Sequence, residues 1–381
     1  MTDIRNCACG GEFSSEALNF GNMPITSIFD NNDTYSLEYR RCERCSISSS
    51  REKLDPSLLY GNNYNFFSGV SLDYLNYAKN LALNLNQIYP LKGKRILDIA
   101  CNDGTLSKEL LKYGCFLVGV DPFSKAISEL EGIKNTQVIN DFFNLPLVTE
   151  FSLEESFDIV IVTNVISHVF DFCDFMQALS KVVKPGGIIY SENMNYERVV
   201  EHQNFEYFYH GVYNLMSPGS FNRILSNSFQ VKHSLGRGFD SHNDCYVLQK
   251  YTNDTDLHWP GNDGTKLCQG DLQKWISNLD KWVLNEVGDT KVVGYAANSK
   301  AGLMFASSSS LRSRISVVLD VNKSKTGRTL AGTDILVAHT DEFDFQSIET
   351  VVLFAPHLEV EVEYFLRSKG FMGNLCVYRA E

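Results

Sequence analysis

Short apolar runs alternate with helical patterns from residue 95 onwards. RILDIA is followed by TLSKELLKYG, which reads as a helix that ends at Gly114, and then by the apolar run FLVGVD. The runs FDIVIVTNV and GGIIYSEN continue the pattern further along the chain. Strands that alternate with helices favour a parallel, doubly wound sheet with helices on both faces. The sequence therefore predicts an α/β fold for this part of the chain.

The alternation stops and then returns, which indicates more than one domain. A polar stretch rich in Gly, Asp and Asn near residues 252–266 is typical of a linker, and strand-like and helical runs alternate again after it. The first 60 residues are irregular and bear cysteines, whereas residues 72–89 have the three-to-four spacing of a helix. We therefore expect three domains, at residues 1–60, 61–250 and 270–381.

Composition excludes some classes of function. The chain has 381 residues and a formal net charge of −12, which disfavours a surface that neutralises nucleic-acid phosphates. No apolar run approaches the length of a membrane span, and the N-terminus lacks a signal-peptide core, so we expect a cytoplasmic protein without a membrane partner. We also expect a monomer. Ten cysteines in such a chain favour thiols or metal ligands over disulfides.

The segment LDIACNDGTL carries the most chemical information. It begins in a strand, has Asp98 near the strand end, makes a tight turn at Gly104 and opens a helix. A nucleotide-like ligand can bind in such a crevice, at the carboxyl ends of the strands. The next strand ends in Asp121, at a spacing that suits a hydrogen bond to a ribose. A dinucleotide enzyme would have three glycines in this turn, and here Gly104 stands alone.

This turn resembles the acid-x-Gly-x-x-x-Gly loop of class I S-adenosylmethionine (SAM) methyltransferases, with Ala100 in place of the first glycine. The resemblance implies SAM as cofactor and a class I methyltransferase fold for the central domain. The alternative is a Rossmann-like fold that binds another nucleotide or none. The cofactor contacts that the resemblance implies, together with the acids above, are Asp98, Ala100, Cys101, Asn102, Gly104, Asp121, Asp141, Phe142 and Asn164.

The Asn-Asp-Gly form of the loop looks like that of the sugar C-methyltransferases, which methylate a ring carbon of a nucleotide-linked deoxysugar. GNMPITSIF, YNFFSGVS, NVISHV and GYAANSKAGLMF are similar to further segments of that family, in the same order. The resemblance implies a C-terminal Rossmann-like domain and a nucleotide-linked sugar as substrate.

Three residues are substrate contacts in this interpretation. Tyr64 and Phe67 match the family's tyrosine-rich substrate segment, and packing between domains is the alternative role. Lys300 is expected at a helix start, where a diphosphate could bind, and a solvated lysine is the alternative.

The N-terminal cysteines form two pairs. CERC supplies Cys42 and Cys45 at a spacing that lets two thiolates reach one tetrahedral ion, and CAC supplies Cys7 and Cys9 at a tighter spacing. The family carries zinc at an N-terminal site of two Cys pairs, so the resemblance implies structural Zn²⁺ here. Free thiols in a small domain are the alternative.

The run EYFYHGVY raises the question of the catalytic base. A carbon nucleophile requires a base that removes the proton beside a ketone, typically His, and donors such as Tyr that stabilise the enolate. The family has a Tyr-His-Glu-His segment at this place. Without gaps, Tyr209 and His210 match its first two residues, and Gly211 and Val212 replace the Glu and the second His. With a two-residue shift, His210 matches the second His.

The predicted catalytic residues are therefore His210, Tyr209 and His168, which matches a family active-site histidine in NVISHV. A structural role is the alternative for each histidine. Methylation of a sugar oxygen or nitrogen, and a SAM-binding protein with altered catalysis, also stay open, because the Glu-His pair is missing.

Overall fold

The computed structural model describes residues 2–3, 6–60, 64, 66–240, 242–254, 256–259, 261, 267–288 and 292–379. Residues 255, 260 and 262–266 of the predicted linker lie outside the described residues. The strands are β1 Thr2–Asp3, β2 Phe13–Pro24, β3 Thr34–Cys42, β4 Ser48–Ser50, β5 Glu52–Lys53, β6 Arg95–Ile99, β7 Phe116–Val120, β8 Thr136–Ile139, β9 Phe157–Thr163, β10 Val183–Met194, β11 Asn214–Leu215, β12 Phe229–Arg237, β13 Asn243–Lys250, β14 Val292–Tyr295, β15 Val317–Asp320, β16 Leu336–His339, β17 Thr350–Leu353 and β18 Asn374–Val377.

Helices separate most of the strands after residue 95, as the apolar runs predict. They are α1 Pro56–Tyr60, α2 Leu72–Ile88, α3 Thr105–Leu111, α4 Ser124–Ile127, α5 Leu145–Glu150, α6 Phe172–Val182, α7 Tyr196–Glu201, α8 Pro218–Ile224, α9 Gln269–Glu286, α10 Ser299–Ser307, α11 Ser309–Arg314 and α12 Glu359–Ser368.

The central sheet has seven strands in the order β12-β13-β10-β9-β6-β7-β8. β6 to β10 are parallel to one another, and β13 runs antiparallel to both of its neighbours. Residues of β6 such as Ile96 and Leu97 are buried, as expected for a parallel strand that helices cover on both faces. The predicted doubly wound α/β fold is confirmed, and the carboxyl ends of β6, β7 and β9 meet at one edge.

One predicted helix ends earlier than its sequence pattern suggests. The pattern of the run FCDFMQALSKVVKPGG predicts a single helix, but α6 ends at Val182 and the residues that follow belong to β10. Pro185 cannot continue a helix because its ring removes the backbone donor and clashes with the preceding turn. The pairing of β10 with β9 is irregular between Val183 and Ile188, where this segment lies.

The N-terminal sheet includes a strand from the centre of the chain. Its order is β11-β4-β3-β2, and Asn214 of β11 pairs with Ser49 of β4. The aromatic run EYFYHGVY, which precedes β11, is therefore joined to the cysteine-bearing unit, residues 1–60.

The C-terminal sheet has five parallel strands in the order β16-β15-β14-β17-β18. The strand order reverses between β14 and β17, where the carboxyl ends of the strands leave a crevice. α10, which carries Lys300 in its first turn, begins beside this point.

Within the described ranges, none of the helices combines the length and the apolar character that a membrane crossing requires.

Candidate active site

The loop after β6 has the left-handed turns that a close approach to a ligand needs. Ala100, Asn102 and Gly104 have φ angles of 58°, 51° and 68°. A Cβ at Gly104 would lie 2.3 Å from Cδ2 of Leu130, so the chain has space only for glycine there. Ala100 tolerates the conformation at a cost, since left-handed backbone disfavours residues with a Cβ.

Two acids lie beneath this loop and have different roles. The carboxylate of Asp98 accepts a hydrogen bond from Ser107 Oγ at 2.5 Å and is almost fully buried, and this burial raises its pKa to about 7. The carboxylate of Asp121 accepts the backbone N–H groups of Asn102 and Phe123 at 2.9 and 2.8 Å. Asp98 therefore joins β6 to α3, whereas Asp121 joins the loop to the turn at the end of β7.

A strap formed by residues 66–70 covers the loop. The side chain of Asn102 accepts the N–H of Ser68 at 3.0 Å and donates to the carbonyl of Phe66 at 3.0 Å. Asp103 Oδ2 accepts the N–H of Gly69 at 2.8 Å. These contacts attach the strap to the loop on which the predicted cofactor residues lie.

The remaining predicted cofactor residues surround the same edge of the sheet. Cys101 is buried within the loop. Asp141 is exposed after β8 and accepts the N–H of the half-buried Phe142 at 2.7 Å. Asn164 follows β9 with a φ of 55°, is exposed, and accepts a hydrogen bond from Asn243 Nδ2 at 2.5 Å.

An aromatic row, Tyr64, Tyr60, His168 and Tyr209, leads away from the loop. Neighbouring ring centroids lie 5.4, 6.1 and 6.3 Å apart, and all four side chains are half-buried. At one end, the Tyr64 ring packs 5.6 Å from Phe123, beside the loop, and the predicted substrate residue Phe67 also packs against Phe123, at 5.4 Å. Phe67 therefore lies on the cofactor side of the row.

His168 is fixed through one of its ring nitrogens. Nδ1 lies 2.6 Å from the carbonyl oxygen of Gly211 and 2.9 Å from Tyr60 Oη. Burial lowers the pKa of His168, and the hydrogen bond to Gly211 opposes this effect only partly. A neutral imidazole whose Nδ1 donates to a carbonyl has a basic lone pair on Nε2.

His210 faces a different environment from His168. It is buried, its Nε2 lies 3.2 Å from the carbonyl oxygen of Tyr35 on β3, and its Nδ1 has no hydrogen-bond partner among the described residues. Its ring packs edge-on against Tyr35, and burial lowers its pKa. The structure therefore places Tyr209 in the aromatic row, and His210 against the N-terminal sheet.

A charged cluster lies between the central and C-terminal domains. Lys300 Nζ is 3.0 Å from Asp240 Oδ2 and 3.6 Å from the centre of the Tyr207 ring. Tyr207 Oη also contacts Asp240 and His242 Nδ1, at 2.9 Å each. Burial opposes ionisation of Asp240, but Lys300 and His242 hold its pKa well below the usual range. Burial raises the pKa of Tyr209, and the charge of Asp240 adds to this increase.

Comparison with known proteins identifies two domains in this chain. The model of a methyltransferase domain family matches residues 74–228, and that of a C-methyltransferase C-terminal domain family matches residues 277–371. The central domain is a class I methyltransferase domain. The match supports the predicted SAM cofactor and covers the loop after β6, His168 and the aromatic run.

Curated relatives match about a third of this chain. The ubiquinone biosynthesis O-methyltransferase of Agrobacterium fabrum is 32% identical over 136 residues, which is 34% of this chain and 53% of that protein. The mitochondrial ubiquinone biosynthesis O-methyltransferase of Homo sapiens is 31% identical over 112 residues, covering 28% and 30%. The chain therefore spans about half the length, or less, of these relatives.

Solved structures are more distant. The PH0226 protein of Pyrococcus horikoshii OT3 has a TM-score of 0.40 and 19% identity over 48% of this chain and 94% of that chain. Magnesium protoporphyrin IX methyltransferase of Synechocystis PCC 6803 has a TM-score of 0.36 and 15% identity over 47% and 80%. Similarities at this distance do not bear on the reaction.

The four N-terminal cysteines lie together beside the methyltransferase domain. All four are buried, and their Sγ atoms lie within 4.8 Å of one another. Cys7 and Cys45 are 3.6 Å apart, and Cys9 and Cys42 are 3.5 Å apart. Four thiolates at about 2.3 Å from one tetrahedral ion would be about 3.8 Å apart, so the residues fit Zn²⁺. The tight Cys-x-Cys pair reaches the same point as the Cys-x-x-Cys pair.

Several site residues escape prediction from the sequence. Tyr60 ends the helix α1 in the segment DPSLLY, far along the chain from His168, and Asp240 and His242 lie in the turn before β13. A histidine and an aspartate two residues apart in a polar turn are a weak signal for a site. Only the proximity of Lys300, from the C-terminal domain, identifies them as part of a cluster.

Proposed function

We propose that this protein transfers a methyl group from SAM to the ring carbon beside the ketone of a nucleotide-linked sugar. The observation that carries the proposal is the domain order, in which a C-methyltransferase C-terminal domain follows a methyltransferase domain. The aromatic row supplies acid–base side chains, and the charged cluster brings Lys300 of the C-terminal domain to Asp240. The net charge of −12 supports a small-molecule acceptor rather than nucleic acid.

The loop after β6 would hold the cofactor. Each oxygen of Asp121 accepts one backbone N–H and retains a lone pair for a ribose hydroxyl. The left-handed turns at Ala100, Asn102 and Gly104 bring backbone close to the ligand, and Phe142 offers a face for adenine. When bound, SAM supplies an electrophilic methyl group.

His168 rather than His210 would be the base. Nε2 of His168 would take the proton from the carbon beside the ketone, and the C–H electron pair would form the enolate. Tyr209 would donate a hydrogen bond to the enolate oxygen, because burial raises its pKa and keeps its hydroxyl protonated. The enolate carbon is then the nucleophile for the methyl group, and its alignment determines the rate.

The amine of Lys300 would contact the diphosphate of the nucleotide-linked sugar. Its amine lies in the first turn of α10, at the switch point of the C-terminal sheet, and is anchored by Asp240. We expect Lys300→Met to raise KM for the nucleotide-linked sugar while leaving the affinity for SAM unchanged, as measured by steady-state kinetics and calorimetry. An unchanged KM would show that Lys300 does not bind the substrate.

Zinc would have a structural role at the cysteine cluster. Four buried thiols supply a closed tetrahedral set with no position left for a substrate. Metal analysis of the purified protein should find one zinc ion per chain, and a Cys42→Ser variant should lose it.

Solvent-deuterium exchange beside the ketone tests the proposed reaction. A panel of nucleotide-linked keto-sugars is incubated with the protein in D₂O, and deuterium at the adjacent carbon is measured by NMR. We expect exchange with the wild type, a decrease of about 100-fold or more in His168→Asn, and retained exchange in the matched variant His210→Asn. No exchange and no methylated product with any keto-sugar would exclude C-methylation.

O-methylation is the second candidate, because the curated relatives are named O-methyltransferases. An O-methyltransferase would methylate a sugar hydroxyl without exchanging the carbon-bound proton, so the same panel distinguishes the two reactions.

A further inference from the structure

The carbonyl group of Gly211 joins two side chains from different parts of the chain. Its oxygen lies 2.6 Å from Nδ1 of His168 and 2.7 Å from Oη of Tyr60. A carbonyl oxygen has two lone pairs and can accept both hydrogen bonds. Because two acceptors would repel at 2.6 Å, Nδ1 must carry the proton and Nε2 the lone pair. This contact therefore selects one tautomer of His168.

Glycine is required at position 211 by the tyrosine. A Cβ at Gly211 would lie 2.8 Å from Tyr60 Oη and 3.2 Å from Cε2 of Tyr209. A contact of 2.8 Å is shorter than the contacts that Cβ atoms make in proteins. Any larger residue at position 211 would therefore displace the hydroxyl of Tyr60. Gly211 and Tyr60 are therefore matched to each other.

The N-terminal unit also fixes the backbone on both sides of Gly211. The buried hydroxyl of Tyr39, on β3, contacts the carbonyl oxygens of Tyr209 at 2.9 Å and Val212 at 2.5 Å. The N–H of Tyr213 donates to the carbonyl of Ser167 at 2.7 Å, which links the segment to the turn that carries His168. The peptide that accepts from His168 is thus held by its neighbours.

We propose that Tyr60 and the carbonyl of Gly211 form a positioning pair that keeps His168 as an Nε2 base. The pair orients the ring toward the acceptor and supports the imidazolium that forms when Nε2 takes a proton. Tyr60 acts through His168 and is a positioning residue. The inference rests on the proposed role of His168 in C-methylation.

A double-mutant cycle tests the pair. Gly211→Ala should lower kcat by about 10-fold or more, and Tyr60→Phe by a smaller factor. In the double variant the overlapping oxygen is absent, so Gly211→Ala should lower kcat by a much smaller factor in the Tyr60→Phe background than in the wild type. If the two effects multiply instead, the residues act independently and the proposal is wrong. Tyr35→Phe is the matched control, since its ring packs against His210 rather than His168.

The pH profile separates positioning from a general structural role. The negative end of the Tyr60 hydroxyl lies 2.9 Å from Nδ1 and favours the imidazolium. Tyr60→Phe should therefore shift the acidic limb of kcat/KM to lower pH, whereas mere destabilisation would lower the rate without moving the limb. An unmoved limb would contradict the proposal.

The tautomer can be measured without any substrate. Nitrogen NMR of histidine-labelled protein should show His168 protonated at Nδ1 in the wild type, and a mixture of tautomers in Gly211→Ala. Protonation at Nε2 in the wild type would overturn the inference. If the expected tautomer is found but no keto-sugar exchanges deuterium, the proposed function fails while the positioning pair stands.

Discussion

Burial shifts the pKa values of single residues in the site away from their values in water. Asp98 is buried with Ser107 as its hydrogen-bond donor, and burial raises its pKa to about 7 from an ordinary value of 3.8. His168 is shifted the other way, because burial favours its neutral form. Both shifts arise from transferring a charged group out of water, and each predicts a dependence on pH.

Asp98→Asn should stabilise the protein at high pH. The folded state retains a proton on Asp98 between about pH 4 and 7 that the unfolded state has lost, so stability falls as pH rises through this window. Asparagine carries no charge, and its oxygen can still accept from Ser107. Urea unfolding should show a gain of roughly 1 to 3 kcal/mol at pH 8 and little or none at pH 4. An equal effect at both pH values would mean that Asp98 is not protonated in this window.

The acidic limb of kcat/KM should lie below pH 6.5. Burial lowers the pKa of His168 from 6.5, and the base must be neutral to accept a proton. The rate should therefore fall only at more acidic pH, and the limb should be absent from the residual activity of His168→Asn. A limb above pH 6.5 would assign the titration to another group.

At the scale of elements, the turn between β6 and α3 depends on one glycine. Gly104 has a left-handed φ of 68° at the N-cap of α3, and its α-carbon faces the fully buried Leu130. Gly93 has a similar φ of 74°, and a Cβ at that position would have no atom of the described residues within 4 Å. A side chain at either position would strain the backbone, but only a side chain at position 104 would also overlap with Leu130.

Gly104→Ala should therefore destabilise the protein more than Gly93→Ala. We expect about 1 kcal/mol of backbone strain in each variant, and a further 1 to 3 kcal/mol at Gly104 from overpacking. Thermal unfolding measures both, and calorimetry should show weaker SAM binding only for Gly104→Ala. Equal destabilisation would mean that Leu130 moves aside without cost.

At the scale of the whole molecule, the cysteine-bearing unit, residues 1–60, contacts the candidate active site of the central domain. Its tyrosines Tyr39 and Tyr60 contact the carbonyl groups of the segment 209–212, and β11 extends its sheet with central residues. The proposed cofactor loop lies instead at the carboxyl end of β6, an interior strand of the central sheet. Substitutions that disrupt this unit should therefore lower kcat more than they weaken SAM binding.

Cys42→Ser should lower kcat by about 10-fold or more while changing the Kd for SAM little. The loss of one ligand opens the four-sulfur cluster, and the two tyrosines lose their fixed positions. Cys268→Ser, at an exposed cysteine outside the cluster, is the control. Turnover and calorimetry measure the two quantities, and a parallel loss of both would indicate general unfolding.

The sequence by itself determined the fold class and the position of the turn between β6 and α3, because both depend on local patterns. Alternating apolar runs specify strands and helices. Asp98 lies near the end of one predicted strand and Asp121 at the end of the next, so both acids can be located from the pattern. The cysteine pairs were also visible, because their spacing along the chain reflects their geometry.

Tertiary structure alone decided the environment of each histidine. His210 and Gly211 are neighbours in the chain, yet one faces β3 and the other accepts a hydrogen bond from His168. Tyr60 and Lys300 reach the site from the two other domains. Their contacts join residues far apart in sequence, and no local pattern encodes a distance that only the packing of three domains creates. The choice of His168 over His210 as the proposed base therefore comes from the folded arrangement.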